Sequence, residues 1–259
     1  MASQPIYQFY AELDEYNPAI WRRFQIAGNS TIARLAYIVM VLFEMKASHL
    51  FAVEVPFGEN FREELRRKSP ERSDSDVIEK VFADVQSVWR YELPDFELGI
   101  FGDPKENRVF DPTKSSIANV VKHPDDKLQL NYDFGDNWWV LLTLESITRD
   151  AALAGSELPR VLDGSGFGII EDCGGVPGLE ELTAAFRKKK GARYEELRDW
   201  LDVDDLDMSA LDIDDINFRL KKLPRIYKLI YEDRMEPTQR SIDLIERKYA
   251  HQPTRRKKP

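Results

Sequence analysis

The chain has 259 residues, of which 42% are apolar and 32% charged, and its net charge at neutral pH is −9. That charge argues against a general nucleic-acid-binding protein, because neutralising phosphates requires clustered Lys and Arg. The single cysteine excludes an internal disulfide framework, and no membrane-spanning run or secretory signal is visible. We therefore expect a cytoplasmic protein without a membrane partner, long enough for one large domain or a smaller domain with appendages.

The N-terminal half of the chain predicts three strands and three helices. Three segments with alternating apolar residues are predicted strands: 6–13, 19–27 and 48–55. Three segments with the spacing or capping of helices are predicted helices: 31–43, 74–90 and 115–121. Ser30 is the predicted N-cap of the first helix, and a serine is expected to cap the last.

An aromatic β-hairpin over 127–147 is the clearest local unit. Its two strands alternate apolar and polar residues on either side of a Gly-Asp-Asn turn, which places the tip at 133–137. Because aromatic burial is strongly stabilising, we expect Tyr132, Phe134 and Trp138 to anchor the core beneath the hairpin.

The pattern of the C-terminal half predicts a glycine-rich loop followed by helices. The loop is predicted over 155–178. The predicted helices are 179–189, 194–201, 213–223 and a stretch from about 225 that breaks near Pro237. This order of elements predicts an α+β fold: an antiparallel or mixed sheet with the aromatic hairpin, packed against helices, with a mostly helical C-terminal portion.

Several motifs occur in an order that resembles one known family. They are NPAIWRRFQI (17–26), TIARLAYIVMVLFE (31–44), SHLF (48–51), YDFGDNW (132–138), IIEDCGG (169–175), GLEEL (178–182) and DIDDINFRL (212–220). Over about 5–222 the chain resembles the plasmid pRiA4b ORF-3-like family. The resemblance implies one family domain over 1–224, with a helical extension and basic tail over 225–259. Members of the family are carried on plasmids, insertion elements and bacterial chromosomes and have no established biochemical function. The resemblance therefore implies no activity.

The two most specific motifs define a candidate polar pocket. We expect the hairpin tip and the Glu-Asp-Cys-Gly-Gly loop to meet in the folded protein, with a nearby histidine. The candidate residues are Asp133, Gly135, Asp136, Trp138, Glu171, Asp172, Cys173, Gly174, Gly175 and His49. Acids brought together repel one another, so each requires a backbone donor, a base or a cation. Satisfaction by backbone amides makes the loop a structural element that seats the following helix, and this is the interpretation we favour.

The alternative is a divalent-cation site, the one cofactor that the sequence suggests. Its candidate ligands are Asp133, Asp136, Glu171 and Asp172, with His49 as a nitrogen ligand or general base. Many family members carry further cysteines ahead of the loop. The matching stretch 158–168 has none, which argues against a cysteine-cluster metal site.

Three other hypotheses about catalytic or cofactor-binding motifs have weaker support. Cys173 with His49 would form a nucleophile pair, but the adjacent carboxylates raise a thiol pKa, and a lone cysteine beside two glycines is more often a small buried filler. The DFG at 133–135 lacks the other protein-kinase motifs. The GSGFG at 164–168 lacks the strand-to-helix context of a dinucleotide loop.

Three functional hypotheses remain. The leading one is a non-enzymatic accessory protein, of bacterial or mobile-element origin, that binds another macromolecule, most readily a protein. The alternative is a metal-dependent hydrolase or phosphotransfer enzyme using the carboxylate pocket. The third is a nucleic-acid contact through a basic set and the tail: Arg62, Arg66, Arg67, Lys68 and 246–259.

Overall fold

The computed structural model describes residues 4–68, 88–94 and 109–246. Within these ranges, eight strands form one sheet in the order β5-β4-β3-β6-β7-β1-β2-β8. Their bounds are β1 Ile6–Leu13, β2 Trp21–Ala27, β3 Phe51–Val55, β4 Trp89–Glu92, β5 Val109–Phe110, β6 Lys127–Tyr132, β7 Trp138–Thr148 and β8 Arg160–Ser165. The β4–β5 pair is parallel and the other neighbouring pairs are antiparallel. The predicted α+β fold with a mixed sheet is confirmed.

The helices of the described ranges lie mainly in the C-terminal half. They are α1 Ile32–Leu42, α2 Phe57–Lys68, α3 Ile117–Val120, α4 Gly175–Lys188, α5 Ala192–Leu201, α6 Ile213–Leu220, α7 Leu223–Tyr231 and α8 Gln239–Ile245, with a short 3-10 turn at Gly155–Glu157. None of these helices has the length and apolar character needed to cross a membrane.

Helix α1 is the central element of the core. Ten of its eleven residues are buried, and it packs against α6 and α7. Helix α7 contributes the buried residues Leu223 and Tyr227, and the Tyr227 hydroxyl donates a hydrogen bond to the carbonyl of Met45 at 2.7 Å. These contacts cross residue 224, where the family domain was expected to end.

A buried arginine ties α1 and β2 to the segment that follows β8. Arg22 is 0% exposed and donates hydrogen bonds to five carbonyls: Trp21, Leu42, Ser165, Gly166 and Phe167. Burial lowers the pKa of Arg22 to about 10, so the guanidinium stays charged at neutral pH. Because this cluster fixes residues 165–167, it also fixes the direction in which the chain enters the 171–175 loop.

Several sequence predictions are wrong in detail. Strand β8 lies inside the predicted loop 155–178, and the charged helix α2 was not predicted at all. The predicted helix 74–90 falls largely outside the described residues, and its last two positions belong to β4. The N-cap of α1 is Thr31, whose side chain accepts from the Arg34 amide, and not Ser30. Ser116 precedes α3 but makes no capping hydrogen bond.

The hairpin tip is placed as predicted, but one of its aromatic residues is not. Tyr132 and Trp138 are both 0% exposed, whereas Phe134 is 44% exposed. Phe134 lies in the turn, beyond the last paired residues of the hairpin, so strand alternation no longer determines where its ring points. Its ring instead lies under the Arg90 guanidinium, 5.3 Å from the ring centroid.

Candidate metal centre at the hairpin tip

Three segments that are distant in the sequence meet at one end of the sheet. The residues before β3 contact the hairpin tip, where the Asp133 amide donates to the Leu50 carbonyl at 2.9 Å. The loop before α4 contacts the same tip, where the Gly174 amide donates to Asp136 Oδ2 at 3.2 Å. The two family motifs therefore lie side by side, with residues 48–50 between β3 and the tip.

His49 lies between one carboxylate from each motif. Its Nδ1 is 3.5 Å from Asp133 Oδ2, and its Nε2 is 3.5 Å from Asp172 Oδ1. One ligand atom from each of these three residues lies within 4.8 Å of the others. His49, Asp133 and Asp172 together are called the tip cluster below.

The two imidazole–carboxylate distances in the tip cluster are longer than those of direct hydrogen bonds. N–H···O bonds are usually 2.7–3.2 Å long, and among the described residues His49 Nε2 has no hydrogen-bond partner although it is closed to solvent. Two ligand atoms that are each about 2.0–2.2 Å from a tetrahedral zinc ion lie roughly 3.3–3.6 Å apart. Each ring nitrogen is at that separation from one carboxylate oxygen, Nδ1 from Asp133 and Nε2 from Asp172, so an ion bound through one nitrogen requires the other carboxylate to move closer.

Backbone conformation holds both acids of the tip cluster in place. Asp133 has φ 54° and Asp172 has φ 61°, in the left-handed region that Asp tolerates better than most residues. Asp133 Oδ1 also accepts from the Gly135 amide at 3.0 Å, which closes the turn. The Asp133 side chain is 13% exposed and that of Asp172 is 71% exposed, so the cluster opens to solvent on the Asp172 side.

Glu171, a predicted metal ligand, is instead a buried structural acceptor. It is 5% exposed and accepts hydrogen bonds from the Lys46 amide at 2.7 Å, the Ser48 hydroxyl at 2.8 Å and the Tyr132 hydroxyl. Burial, together with the neighbouring carboxylate, raises the pKa of Tyr132, so this hydroxyl remains a donor at physiological pH. These bonds hold residues 46–48 against the hairpin and so set the position of His49.

Asp136 also lies outside the tip cluster. Its carboxylate accepts from Gly174, and its carbonyl lies so close to Gly175 that a Cβ there would approach it to 2.5 Å. Gly175 has φ +69° as well, so both the close approach and the conformation require glycine. This contact seats the start of α4 against the hairpin, as expected for a structural loop.

The environment of Cys173 opposes catalysis by its thiol. Burial and the nearby carboxylates of Asp136 and Asp172 raise the pKa of Cys173 to about 12. Its sulfur is 3.7 Å from the Gly175 carbonyl. A thiol that stays protonated at neutral pH is a poor nucleophile, so the Cys173–His49 pair is not supported.

Trp138 belongs to the core beneath the tip and not to a pocket. Its side chain is 0% exposed, and its Nε1 has no hydrogen-bond partner in the described parts of the chain. The Ser48 hydroxyl, the Lys46 amide and the Tyr132 hydroxyl were not predicted as polar partners in this region. The one sequence signal that could have identified Ser48 is the motif SHLF, because a small hydroxyl residue beside a candidate histidine is a common source of hydrogen bonds.

The basic set on α2 carries carboxylate partners of its own. Arg67 Nη2 is 3.0 Å from Asp125, Lys68 is paired with Glu64, and Arg66 is paired with Glu63. These carboxylates reduce the positive potential that phosphate binding would require.

The fold and the two motifs place the chain in one family of proteins. A sequence model of the family described as plasmid pRiA4b ORF-3-like protein matches residues 5–215, so the chain belongs to this family and the resemblance is confirmed. The chain is 25% identical over 131 residues to the uncharacterized protein y4hQ of Sinorhizobium fredii (strain NBRC 101917 / NGR234). That match covers 50% of this chain and 66% of the relative, so it spans just under two thirds of the relative's length.

A solved structure shares the fold. It is a protein of unknown function, MM3350, from Methanosarcina mazei Go1, with a TM-score of 0.60 and 23% sequence identity. The match covers 82% of this chain and 98% of that one. At this identity the likeness concerns the fold alone.

Proposed function

We propose that the chain is a protein-binding protein whose contact surface at the hairpin tip is held together by a divalent transition-metal ion. The observation that carries the proposal is the tip cluster, in which one histidine and two aspartates from three segments lie within 4.8 Å of one another. An ion bound there would add a link between the segment before β3, the hairpin and the loop before α4, which already meet through hydrogen bonds.

The ligand types indicate which ions suit the site. One imidazole nitrogen with two carboxylate oxygens suits zinc, manganese or iron, whereas magnesium and calcium prefer oxygen ligands throughout. Binding would also relieve repulsion between Asp133 and Asp172, since a carboxylate oxygen of one lies within 4.8 Å of a carboxylate oxygen of the other.

The surroundings of the tip cluster favour a macromolecular partner. Two of its ligands are each followed by an exposed apolar residue: Leu50, 63% exposed, follows His49, and Phe134, 44% exposed, follows Asp133. The two segments that carry these side chains meet in the hydrogen bond from the Asp133 amide to the Leu50 carbonyl, and exposed apolar residues that cluster are typical of protein-interaction surfaces. Fixing the two ligands would fix the backbone that presents these side chains, which lowers the entropic cost of docking.

Calorimetric titration tests the metal site. Wild-type protein should bind Zn²⁺ or Mn²⁺ at one site, and His49→Ala and Asp172→Asn should weaken that binding by about tenfold or more. Asp136→Asn is the matched control: it removes a carboxylate at the same tip but outside the cluster, and it should bind as wild type does. Absence of binding by wild type at millimolar metal would overturn the proposal, as would equal weakening in the control.

Protein capture from the native host tests the surface. Wild type with bound metal should retain a partner that is lost with a chelator and in the double variant Leu50→Ser, Phe134→Ser. The control is Leu162→Ser, which alters an exposed leucine on β8, 39% exposed, far along the sheet order from β3. A partner retained by the double variant would contradict this assignment of the surface.

A metal-dependent hydrolase remains the second candidate function. The observation in its favour is a cavity of about 240 Å³ that borders the tip cluster through Asp172 and is also lined by Cys173, Arg193 and Trp200. Three protein ligands leave a coordination position for water, as in catalytic zinc sites. Zinc-dependent release of nitrophenol from nitrophenyl phosphate or ester, abolished by His49→Ala and preserved in Asp136→Asn, would favour this candidate over the first.

A further inference from the structure

A second cavity, of about 280 Å³, lies between the start of α1, the segment before α3, and α7. It shares no lining residue with the tip cluster or with the cavity beside Asp172. Its polar lining residues are Thr31, Arg34, Tyr37, Thr113, Lys228 and Glu232. It is therefore a separate place where a ligand can be held.

Two cations line this cavity, Arg34 and Lys228, together with one carboxylate, that of Glu232. Within the described part of the chain, Arg34 makes no ion pair, and burial of its guanidinium lowers its pKa, although the side chain still reaches solvent. Lys228 lies 3.9 Å from Glu232, at the outer limit of an ion pair. Both side chains are exposed, and two cations that line one cavity favour an anionic ligand.

Three hydroxyl groups line the cavity, and one of them can donate a hydrogen bond to a ligand while the other two can accept one. Thr31 Oγ1 accepts from the Arg34 amide at 3.1 Å, which leaves its own O–H available to a ligand. The Thr113 hydroxyl donates to Asp111 at 2.6 Å and that of Tyr37 donates to Glu232 at 3.2 Å. Both oxygens, together with the Glu232 carboxylate, can therefore accept from a ligand that carries O–H groups.

We propose that this cavity binds a small phosphate ester that carries free hydroxyl groups. The phosphate dianion would lie against Arg34 and Lys228, with Thr31 donating a further hydrogen bond. Arg is suited to this role because its planar fork engages two phosphate oxygens at once. The ester's hydroxyls would donate to Thr113, Tyr37 and Glu232.

The volume limits the size of the ligand. Ligand pockets commonly measure about 300–1,000 Å³, so a cavity near the lower end suits a short-chain ester and not a nucleotide. Glycerol 3-phosphate carries both a phosphate and free hydroxyl groups and is therefore the probe of choice. Inorganic phosphate and glycerol, which each carry one of these features, are the comparison ligands.

Calorimetry in a phosphate-free buffer at fixed ionic strength tests the proposal. Wild type should bind glycerol 3-phosphate more tightly than inorganic phosphate, and should not bind glycerol. Arg34→Gln and Lys228→Gln should each weaken binding by about tenfold or more, and Arg34→Lys, which keeps the charge but loses the fork, should lie between. Arg225→Gln is the matched control, because it removes an exposed cation of α7 that does not line the cavity.

Four results would overturn the proposal. They are no binding of the ester by wild type at millimolar concentration, unchanged affinity in Arg34→Gln and Lys228→Gln, equal weakening in Arg225→Gln, and equal affinity for inorganic phosphate. A melting curve of each variant separates lost binding from lost folding. His49→Ala should bind the ester normally, so this outcome is independent of the metal site.

Discussion

Glu171 and Asp172 are neighbours in the sequence, yet their carboxylates have opposite surroundings. Glu171 is 5% exposed and accepts three protein hydrogen bonds, while the Asp172 side chain is 71% exposed and faces His49. Among the candidate residues suggested by the sequence, His49, Asp133 and Asp172 lie close together in the structure. It could not separate Glu171 from them, because the donors that satisfy Glu171 come from residues 46, 48 and 132, which only the tertiary fold brings together.

Cys173 offers a residue-scale prediction that needs no mutation, since it is the only cysteine. Its pKa is raised to about 12, so little thiolate exists near pH 8. Iodoacetamide should modify the folded protein at least about tenfold more slowly than the urea-unfolded protein. A folded-state rate equal to the unfolded rate would show that the thiol is neither buried nor held protonated.

Trp138 should be the most costly residue to truncate at the hairpin. Trp138→Ala removes a side chain that is 0% exposed and should lower the free energy of unfolding by about 3–5 kcal/mol, measured by urea denaturation. Trp139→Ala is the matched control, because that side chain is partly exposed on the other face of the same strand and should cost less. Equal costs for the two variants would contradict the assigned register of β7.

At the scale of elements, local periodicity decided what could be predicted. Helix α1 and the hairpin carry patterns complete within one segment, and both lie where the sequence placed them. Strand β8 has no such pattern, since RVLDGS is half exposed and ends in small residues; it is a strand because β2 offers it an edge. The exposure of Phe134 could not be predicted from the strand pattern, because Phe134 lies in the turn, where the alternation of buried and exposed residues stops. Pairing between distant segments cannot be deduced from either segment alone.

Arg22 gives a prediction about how elements are joined. Arg22→Lys keeps the charge but has three donors in place of five, and so leaves buried carbonyls of the 165–167 segment unpaired. We expect a loss of about 3–5 kcal/mol in unfolding free energy, as for a broken buried charge network. The control Arg23→Lys alters an adjacent, partly exposed arginine paired with Glu145 and should cost about 1 kcal/mol or less. Similar losses in both variants would mean that the five-carbonyl cluster does not join these elements.

At the scale of the whole molecule, the buried tyrosines predict how stability depends on pH. Burial raises the pKa values of Tyr37, Tyr132, Tyr227 and Tyr231 above their usual value of 10. A raised folded-state pKa means that stability is fully present below pH 10 and is lost as pH rises above it, because the unfolded chain ionises first. The urea midpoint should therefore be insensitive to these groups between pH 7 and 9 and fall steeply above about pH 10. Ultraviolet absorbance measures the ionisation of tyrosine. If it showed that all tyrosines ionise near pH 10 while the protein stays folded, this burial would be contradicted.

The division of the chain into a family domain over 1–224 and a C-terminal extension remains a proposal. Helix α7 begins at this boundary and buries Leu223 and Tyr227. A fragment ending at residue 224 would lose Tyr227, and we expect it to be less stable than a fragment ending at 246.

The binding of a metal ion between the two family motifs is the central claim, and a crystal soaked in Mn²⁺ tests it most directly. The result we expect is one anomalous difference peak at about 2.0–2.3 Å from a ring nitrogen of His49 and from carboxylate oxygens of Asp133 and Asp172, absent from crystals of His49→Ala. A wild-type crystal with no peak between these residues, or with its peak at Asp136 or Glu171 instead, would contradict the claim.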